Sequence, residues 1–174
     1  MKTGLYIFVE GSDDTRFINN VIKPVIKDKY NYIQVIEYAQ ESNEYIKSFI
    51  ESINGMSADY ILLGDLDLHD CFLNKIDNIL AKIDIIEKKK IYIVIKEIES
   101  WYLAGIDNDA SRLLNINHIN DTEEVDKEKF LSLKPDKFDS VIDYKQELLK
   151  YYSIEIAKTQ NDSFKYFYDR IASF

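Results

Sequence analysis

The sequence predicts an α/β fold, in which an open, mainly parallel sheet carries helices on both faces and a helical extension follows. Two observations predict the sheet. First, short apolar runs alternate with segments of helical periodicity along the first half of the chain. Second, these runs are apolar throughout, which is typical of strands that are buried on both faces of a parallel sheet. With 174 residues, of which 46% are hydrophobic, the chain can bury the core of a single globular unit.

Four apolar runs predict the strands of this sheet. They are Leu5–Val9, Tyr32–Tyr38, Tyr60–Gly64 and Ile91–Ile95. The segments between them predict three helices. The first follows an acidic turn and is perturbed at Pro24, the second runs from Ser42 to Ile53, and the third runs from Phe72 to Glu87. The resulting β-α-β-α-β-α-β order implies right-handed crossovers between parallel strands.

The pattern becomes helical and more polar from Trp101 onward. Helical spacing there predicts helices over residues 111–114, 127–133, 142–152 and 163–172. We therefore expect an α/β core over residues 1–105 and a helical extension over residues 106–174. The extension is expected to pack on the core, so that the two form one globular unit.

Composition and charge narrow the possible functions. The net charge is -9, with 31 acidic against 22 basic residues, which argues against a protein that holds nucleic acid by bulk phosphate neutralisation. Cys71 is the single cysteine, so disulfide frameworks and zinc sites of the four-cysteine type are excluded. No apolar run is long enough for a membrane span or a signal sequence. We expect a cytoplasmic protein, and any contact with nucleic acid must be local.

Acidic residues follow three of the predicted strands. Glu10 follows the first strand, Asp65 and Asp67 follow the third, and Glu97 and Glu99 follow the fourth. Ligands of open parallel sheets bind beyond the carboxyl ends of the strands, where clustered carboxylates would repel one another unless a cation neutralised them. The spacing of the Asp-x-Asp pair also lets both side chains point the same way. The sequence therefore predicts a magnesium or manganese site.

The turn after the first strand adds two further candidates. Gly11 would let the backbone turn sharply and approach a phosphate, and Asp14 could orient Glu10 or a metal-bound water. Asp13 could serve as an ordinary helix cap. A lysine near the site would stabilise the charge that develops on a reacting phosphate, and Lys96 and Lys158 are candidates for that role.

These motifs resemble those of a known family. Val9–Asp14 and the later Asp65-Leu66-Asp67 look like the motifs of the TOPRIM domain of topoisomerases, primases and OLD-type nucleases, and the likeness covers about residues 4–105. In that family the strand-end glutamate acts in acid–base chemistry and the Asp-x-Asp pair holds magnesium. The resemblance thus assigns catalytic roles to Glu10, Asp65 and Asp67, with Mg²⁺ or Mn²⁺ as the cofactor.

A second likeness involves the segment after the fourth strand. Glu97–Ala104 together with Ser163–Phe167 looks like compact TOPRIM-like proteins that are grouped with OLD-type nucleases. In OLD-type enzymes additional acidic residues make a second metal site, for which Glu97 or Glu99 would be the candidate. Glu99 could equally begin a helix favourably, and Trp101 is expected to pack in the core.

The resemblance and the residues together predict a metal-dependent phosphodiester-cleaving enzyme, in a defence or phage-related system. The chain has no Gly-x-x-x-x-Gly-Lys-Ser/Thr loop, so ATPase activity would have to come from a partner, as in OLD-type enzymes. The alternative is a catalytically degenerate protein of the same fold that acts as an interaction partner or inhibitor, for which the acidic surface is equally suited. Both DNA and RNA, and one or two metal ions, are compatible with the sequence.

Overall fold

The structure of the protein is a computed structural model that describes residues 4–66 and 71–173. Within these residues four parallel strands form one sheet in the order β2-β1-β3-β4. The strands are β1 (Leu5–Val9), β2 (Ile33–Glu37), β3 (Asp59–Asp65) and β4 (Ile91–Val94). The predicted α/β class and the parallel sheet are confirmed, and each predicted strand matches an observed one to within one residue at either end.

The helices that accompany the strands are short to medium in length. They are α1 (Ser12–Phe17), α2 (Lys23–Ile26), α3 (Asn43–Gly55), α4 (Phe72–Lys82), α5 (Glu99–Ala104), α6 (Asn108–Leu114), α7 (Lys127–Leu133), α8 (Val141–Lys150), α9 (Ile154–Gln160) and α10 (Asp162–Ala172). Short 3-10 turns cover Lys27–Lys29 and Lys88–Lys90. The helix α9 was not predicted, because its seven residues span only two turns and carry too few apolar positions to show a period.

Pro24 lies within a continuous helical run instead of ending it. A π-helical turn, Ile18–Ile22, joins α1 to α2, and Pro24 occupies the first turn of α2. Within a helix a proline lacks an N–H donor and its ring crowds the preceding turn, and the π-helical turn directly before Pro24 is the local change of hydrogen-bond pattern that accompanies it. The sequence prediction of a perturbation at Pro24 is thus correct in position, and the helix continues beyond it.

One face of the sheet packs against α3 and α4. Alternate residues of β1 and β3 point to this face, and the helices contribute apolar side chains at helical spacing. The cluster comprises Tyr6, Phe8, Tyr60, Leu62, Ile91, Ile46, Ile50, Ile53, Ile76, Ile79, Ile83 and Ile86. In a right-handed crossover, the face of the sheet that the helix covers depends on the direction in which the chain moves across the sheet. The crossover from β1 to β2 moves in one direction, and those from β2 to β3 and from β3 to β4 move in the other. The helices α1 and α2 therefore cover the face opposite to α3 and α4. The sheet therefore has helices on both faces, as predicted.

The helix α4 is shorter than predicted, since it ends at Lys82 and not at Glu87. Ile83 and Ile86 remain buried in the same core cluster although they lie outside the helix. Their apolar spacing extended the helical pattern in the sequence, while the backbone had already turned toward β4. Burial of both side chains thus explains the incorrect boundary.

The chain divides into two compact units. The first comprises Met1–Val94 with Ile171–Phe174, and the second comprises Ile95–Arg170. In the second unit Trp101 is fully buried, donates a hydrogen bond from Nε1 to Ser163 Oγ at 2.9 Å, and contacts the rings of Phe164 and Phe167. Its predicted packing role is confirmed. Within the described residues, none of the helices has the length and apolar character needed to cross a membrane.

Candidate active site

Glu10 lies at the carboxyl end of β1, directly beside β3. The parallel register pairs Phe8 with Leu62, and two residues further along each strand the same register sets Glu10 beside Gly64. The Glu10 carboxylate turns across β3, where Oε1 accepts a hydrogen bond from the backbone N–H of Asp65 at 3.1 Å. The first and third strand ends are therefore joined by a direct contact between the two predicted site residues.

Gly64 provides the space in which this carboxylate lies. A Cβ atom at position 64 would stand 3.1 Å from Glu10 Oε1 and 3.1 Å from the hydroxyl of Tyr38. Both distances are shorter than ordinary van der Waals contact, so a larger residue would displace the carboxylate or the phenol. The absence of a side chain at Gly64 therefore leaves room for the Glu10 carboxylate and the Tyr38 hydroxyl.

Tyr38 follows β2 and completes the group around Glu10. Its backbone N–H donates to Val9 O at 2.9 Å, which extends the pairing of the two strands, and its hydroxyl donates to Glu10 Oε1 at 3.3 Å. Burial and the negative charges of Glu10, Asp14 and Asp65 raise the pKa of the Tyr38 phenol well above its usual value. The phenol therefore stays neutral and acts as a hydrogen-bond donor in an acidic environment.

Asp65 is the last residue of β3 and is partly buried at the sheet edge. Its register partner on β4 is Val94, and the next residue, Leu66, still donates a backbone hydrogen bond to Val94 O at 2.8 Å. The backbone is therefore held in place as far as Leu66. Asp67, the second residue of the predicted pair, lies outside the described residues, and its metal-binding role stays a prediction.

Hydrogen bonds of Asp14 and Asp13 hold the turn after Glu10, and the predicted roles of Gly11 and Asp14 at the site stay predictions. Gly11 precedes α1 with φ -159° and ψ -169°, an extended conformation that any residue adopts, and a Cβ at this position would meet nothing within 4 Å. The backbone N–H of Gly11 donates to Asp14 Oδ2 at 3.0 Å. Asp14, which is buried, therefore caps the helix start, whereas Asp13 pairs with Arg16.

The structure adds a lysine that no pattern in the sequence indicates. Lys75 on α4 places Nζ 3.3 Å from Glu10 Oε1, and its side chain is 11% exposed. Glu10 and Lys75 line a cleft of about 250 Å³ between the start of α3 and α4, which we call the α3–α4 cleft. Polar and charged residues of its lining are Glu10, Tyr38, Glu41, Asn43, Lys75, Asn78 and Lys82.

The predicted residues Glu97 and Glu99 belong to the second unit. The Glu97 carboxylate accepts a hydrogen bond from the backbone N–H of Lys127, at the start of α7. Glu99 is the first residue of α5 and is only 4% exposed, and its Oε1 lies 2.7 Å from Lys145 Nζ. Each carboxylate thus has a protein donor within its own unit, and the metal-binding role of both residues stays a prediction.

The two lysines that the sequence suggested also lie in the second unit. Lys96 has a positive φ of 60° and pairs with Glu124 at 3.1 Å. Lys158 pairs with Glu155 at 3.5 Å. By contrast, Lys75 is the lysine that contacts Glu10 among the described residues. A lysine on the first turn of a helix carries no sequence signature that would have distinguished it from a solvated one.

The donor chemistry at the sheet edge fits a hard divalent cation. Mg²⁺ takes oxygen ligands and is commonly held by one or two carboxylates together with water and substrate phosphate. Glu10 and Asp65 supply carboxylates at adjacent strand ends. The described parts of the chain contain no group of three or more His, Cys, Asp or Glu side chains placed to hold a metal ion. A larger ligand set would therefore need Asp67, or groups from the substrate.

Comparisons with known proteins show the fold. No protein-family model and no curated sequence matches the chain. The C-terminal region of the Burkholderia pseudomallei OLD protein resembles it with a TM-score of 0.52 and 14% identity, over 98% of this chain and 99% of the other. The C-terminal region of the Xanthomonas campestris pv. campestris OLD protein has a TM-score of 0.48 and 15% identity, over 99% and 97% respectively.

The likeness to the Burkholderia pseudomallei protein defines the class of fold. The chain has the TOPRIM-like architecture found in the C-terminal region of an OLD protein, which confirms the fold resemblance expected from the Glu10 and Asp65 motifs. The likeness extends over nearly the whole of both chains, so it includes the helical segment after β4 as well as the sheet.

Proposed function

We propose that the protein is a metal-dependent phosphodiester-cleaving enzyme of the TOPRIM type. The observation that carries the proposal is the contact between the ends of β1 and β3, where the Glu10 carboxylate is held against the backbone of Asp65 at 3.1 Å. This arrangement gathers the acidic residues at the carboxyl edge of the sheet, where open α/β folds bind their ligands. The fold shared with the OLD C-terminal region supports the same reading.

The chain's own residues can be given distinct roles. Asp65 and Asp67 hold Mg²⁺ or Mn²⁺, and Glu10 acts both as a ligand and as the acid–base residue. When bound, the cation activates water and stabilises the leaving oxygen in phosphodiester cleavage. Glu97 and Glu99 remain candidates for a second metal. Hydrogen bonds from Tyr38 and Asp65 N–H orient the Glu10 carboxylate, because both donors converge on its Oε1 atom.

Asp14 and Gly11 support this arrangement. Asp14 is buried beneath the turn and holds the Gly11 N–H at 3.0 Å, so it fixes the backbone directly after Glu10. The space beside Gly11 is open, which leaves room for a phosphate to approach that backbone. We assign Asp14 to positioning Glu10, and Gly11 to admitting the substrate.

The charge of the protein limits how it engages a substrate. At a net charge of -9, tight binding to nucleic acid in the absence of a divalent cation is not expected, and we expect a Kd on the order of 10 μM or weaker in EDTA. Two routes would raise the affinity, namely a divalent cation at the site or a basic partner subunit. OLD-type relatives make an ATPase partner the natural choice, in a defence or phage-related setting.

One observation favours a second candidate function. Lys75 already places an ammonium group against Glu10 Oε1 at 3.3 Å, so part of the site's negative charge is compensated without metal. A protein that had lost catalysis and acts as an interaction partner or inhibitor would retain such an internal counter-charge. Its acidic surface would then meet a basic protein partner.

Metal-dependent melting separates the two functions. For a nuclease, manganese should raise the melting temperature of the wild type, and Asp65→Ala or Asp67→Ala should abolish both this increase and the cleavage of phosphodiester substrates. Without metal, these variants should melt at the same temperature or slightly higher, since like-charge repulsion is relieved. Asp136→Ala, in the second unit, is the matched control. Equal manganese stabilisation in all proteins would remove both aspartates from the site.

A further inference from the structure

We infer that the α3–α4 cleft binds the sugar–phosphate backbone of a polynucleotide strand, with Lys75, Asn78 and Lys82 of α4 as the contact residues. The inference rests on the proposed function, because the strand would be the substrate of the acidic site. It assigns a binding surface to a part of the molecule that lies beyond the carboxylates themselves.

The contact residues share one face of α4. Lys75, Asn78 and Lys82 stand at positions i, i+3 and i+7, which recur on the same side of an α-helix. All three line the cleft. Seven residues of helix rise about 10 Å, which exceeds the advance of one nucleotide along a strand, roughly 3.4 Å along the axis of duplex DNA. The spacing therefore suits contacts to separate phosphates of one strand.

The charge of the cleft differs from that of the protein as a whole. Its lining contains two carboxylates, Glu10 and Glu41, and two ammonium groups, Lys75 and Lys82. The cleft is therefore close to neutral in a chain of net charge -9. A polyanion would meet less repulsion here than over a surface of average composition.

Lys82 is available to a ligand. Its side chain is exposed, and no carboxylate of residues 4–66 or 71–173 lies within ion-pairing distance of it. Asn78 on α4 and Asn43 at the start of α3 add amide donors, which commonly bind phosphate oxygens. The cleft thus combines a charged group with neutral hydrogen-bond donors.

The contact between Lys75 and Glu10 shows which part of the cleft lies nearest to the acidic edge of the sheet. Glu10 contacts Lys75 in the first turn of α4, and Lys82 lies two helical turns further along the same helix. A strand that follows α4 therefore runs toward the acidic edge of the sheet, where the proposed cleavage takes place. This local surface accounts for how an acidic protein can engage an acidic substrate.

The test compares two lysine variants that carry the same change of charge. Lys82→Gln removes the ammonium from the cleft, and Lys27→Gln removes one from an exposed position outside the cleft lining. Fluorescence anisotropy with a labelled oligothymidylate and with its RNA counterpart, at low salt in EDTA, gives the Kd of each protein. Lys82→Gln should raise the Kd at least threefold and lower the slope of log K against log salt by about 0.7, as expected for the loss of one phosphate contact to a single strand. Lys27→Gln should match the wild type.

The outcomes distinguish this inference from the proposed function. A selective loss of binding in Lys82→Gln supports the strand contact, even if manganese-dependent cleavage is absent from every protein. Equal Kd values and slopes for the two variants would overturn the strand contact, even if the wild type cleaves in manganese. Absence of measurable binding by the wild type up to about 1 mM, a concentration above typical non-specific Kd values, would overturn it as well.

Discussion

Each unit of the chain contains a glutamate that pairs with a lysine of α4 or α8, and the two pairs differ in their surroundings. In the second unit Glu99 and Lys145 are 2.7 Å apart, and their side chains are 5% and 1% exposed. In the first unit Glu10 and Lys75 are 3.3 Å apart, and their side chains are 26% and 11% exposed. The Glu99–Lys145 pair is therefore buried in a core, whereas the Glu10–Lys75 pair lies at a cleft and is partly exposed.

The difference indicates which charges are free to exchange partners. Lys145 also lies 5.3 Å from the ring centroids of both Tyr102 and Phe130, so its ammonium is surrounded by favourable contacts and cannot leave without exposing Glu99 to an apolar interior. Lys75 faces a cleft that is open to solvent, so a cation could replace it on Glu10 at little cost. We therefore expect the Glu10–Lys75 pair to serve binding, whereas the Glu99–Lys145 pair stabilises the fold as long as no second metal is bound.

The largest expected effect comes from breaking the buried pair. Lys145→Met should lower the free energy of unfolding by about 3–5 kcal/mol, because it leaves the Glu99 carboxylate buried without its counter-charge. Urea unfolding measures the change. The double variant Glu99→Gln with Lys145→Met is the control, and it should recover much of the loss. A change below about 1 kcal/mol would mean that Glu99 has another counter-charge, as a metal ligand would.

Glu10→Gln should affect the reaction far more than the fold. The amide keeps the shape of the side chain but removes the charge and the ability to accept a proton, so cleavage should fall about 100-fold or more while the free energy of unfolding changes by about 1 kcal/mol or less. Glu51→Gln, at an exposed position of α3 outside the cleft lining, is the matched control. Full metal-dependent activity in Glu10→Gln would disprove the catalytic assignment.

Lys75→Met sharpens the comparison because the partly exposed pair should behave unlike the buried one. We expect a loss of only about 1 kcal/mol in the free energy of unfolding, since methionine keeps the apolar contacts of the lysine stem and Glu10 Oε1 still accepts hydrogen bonds from Tyr38 and from the Asp65 N–H. Manganese should bind about threefold or more tightly, because the ammonium no longer competes for Glu10. Calorimetric titration measures the affinity. Unchanged manganese affinity, with Lys82→Gln as the reference, would show that Lys75 and the cation do not share the carboxylate.

Tyr38 should make the stability of the protein depend on pH only at high pH. Because the pKa of its phenol is raised in the folded state, the folded protein holds this proton at pH values where the unfolded chain releases it. The stability is therefore intact below about pH 10 and falls above it, by up to about 1.4 kcal/mol per pH unit for one such group. Tyr38→Phe should reduce this slope by one proton in unfolding titrations, whereas Tyr45→Phe, at an exposed site, should leave it as in the wild type.

The sequence predicts the sheet well because each strand is a continuous apolar run, and that pattern depends little on distant contacts. The ends of β1 and β3 could also be predicted, since a register of parallel strands brings Glu10 and Asp65 to one edge. Helix boundaries were less certain. The apolar positions of Ile83 and Ile86 serve the core from outside α4, and a periodic pattern alone does not reveal where the backbone turns.

The contributions of Tyr38 and Lys75 could not be predicted for a different reason. Their roles depend on which surfaces of β2 and α4 face Glu10, which is a property of tertiary packing. Neither residue type nor spacing separates Lys75 from the other lysines of the chain. In the same way, Asp14 and Asp13 are adjacent and chemically alike, yet only the structure shows that Asp14 is the buried one that binds the Gly11 N–H.

Gly64 has a consequence for the history of this sequence. A glycine inside a strand costs roughly 0.5–1 kcal/mol relative to alanine, and β3 is an inner strand of the sheet. A Cβ at position 64 would stand 3.1 Å from both the Glu10 carboxylate and the Tyr38 hydroxyl, so these groups would have to shift. In a lineage that no longer needed that carboxylate, its loss would remove one of the two contacts, and a residue with a higher strand propensity could then replace the glycine. Descendants of this protein are therefore expected to change positions 10 and 64 together, and those that keep both mark the branches in which the acidic edge is still under selection.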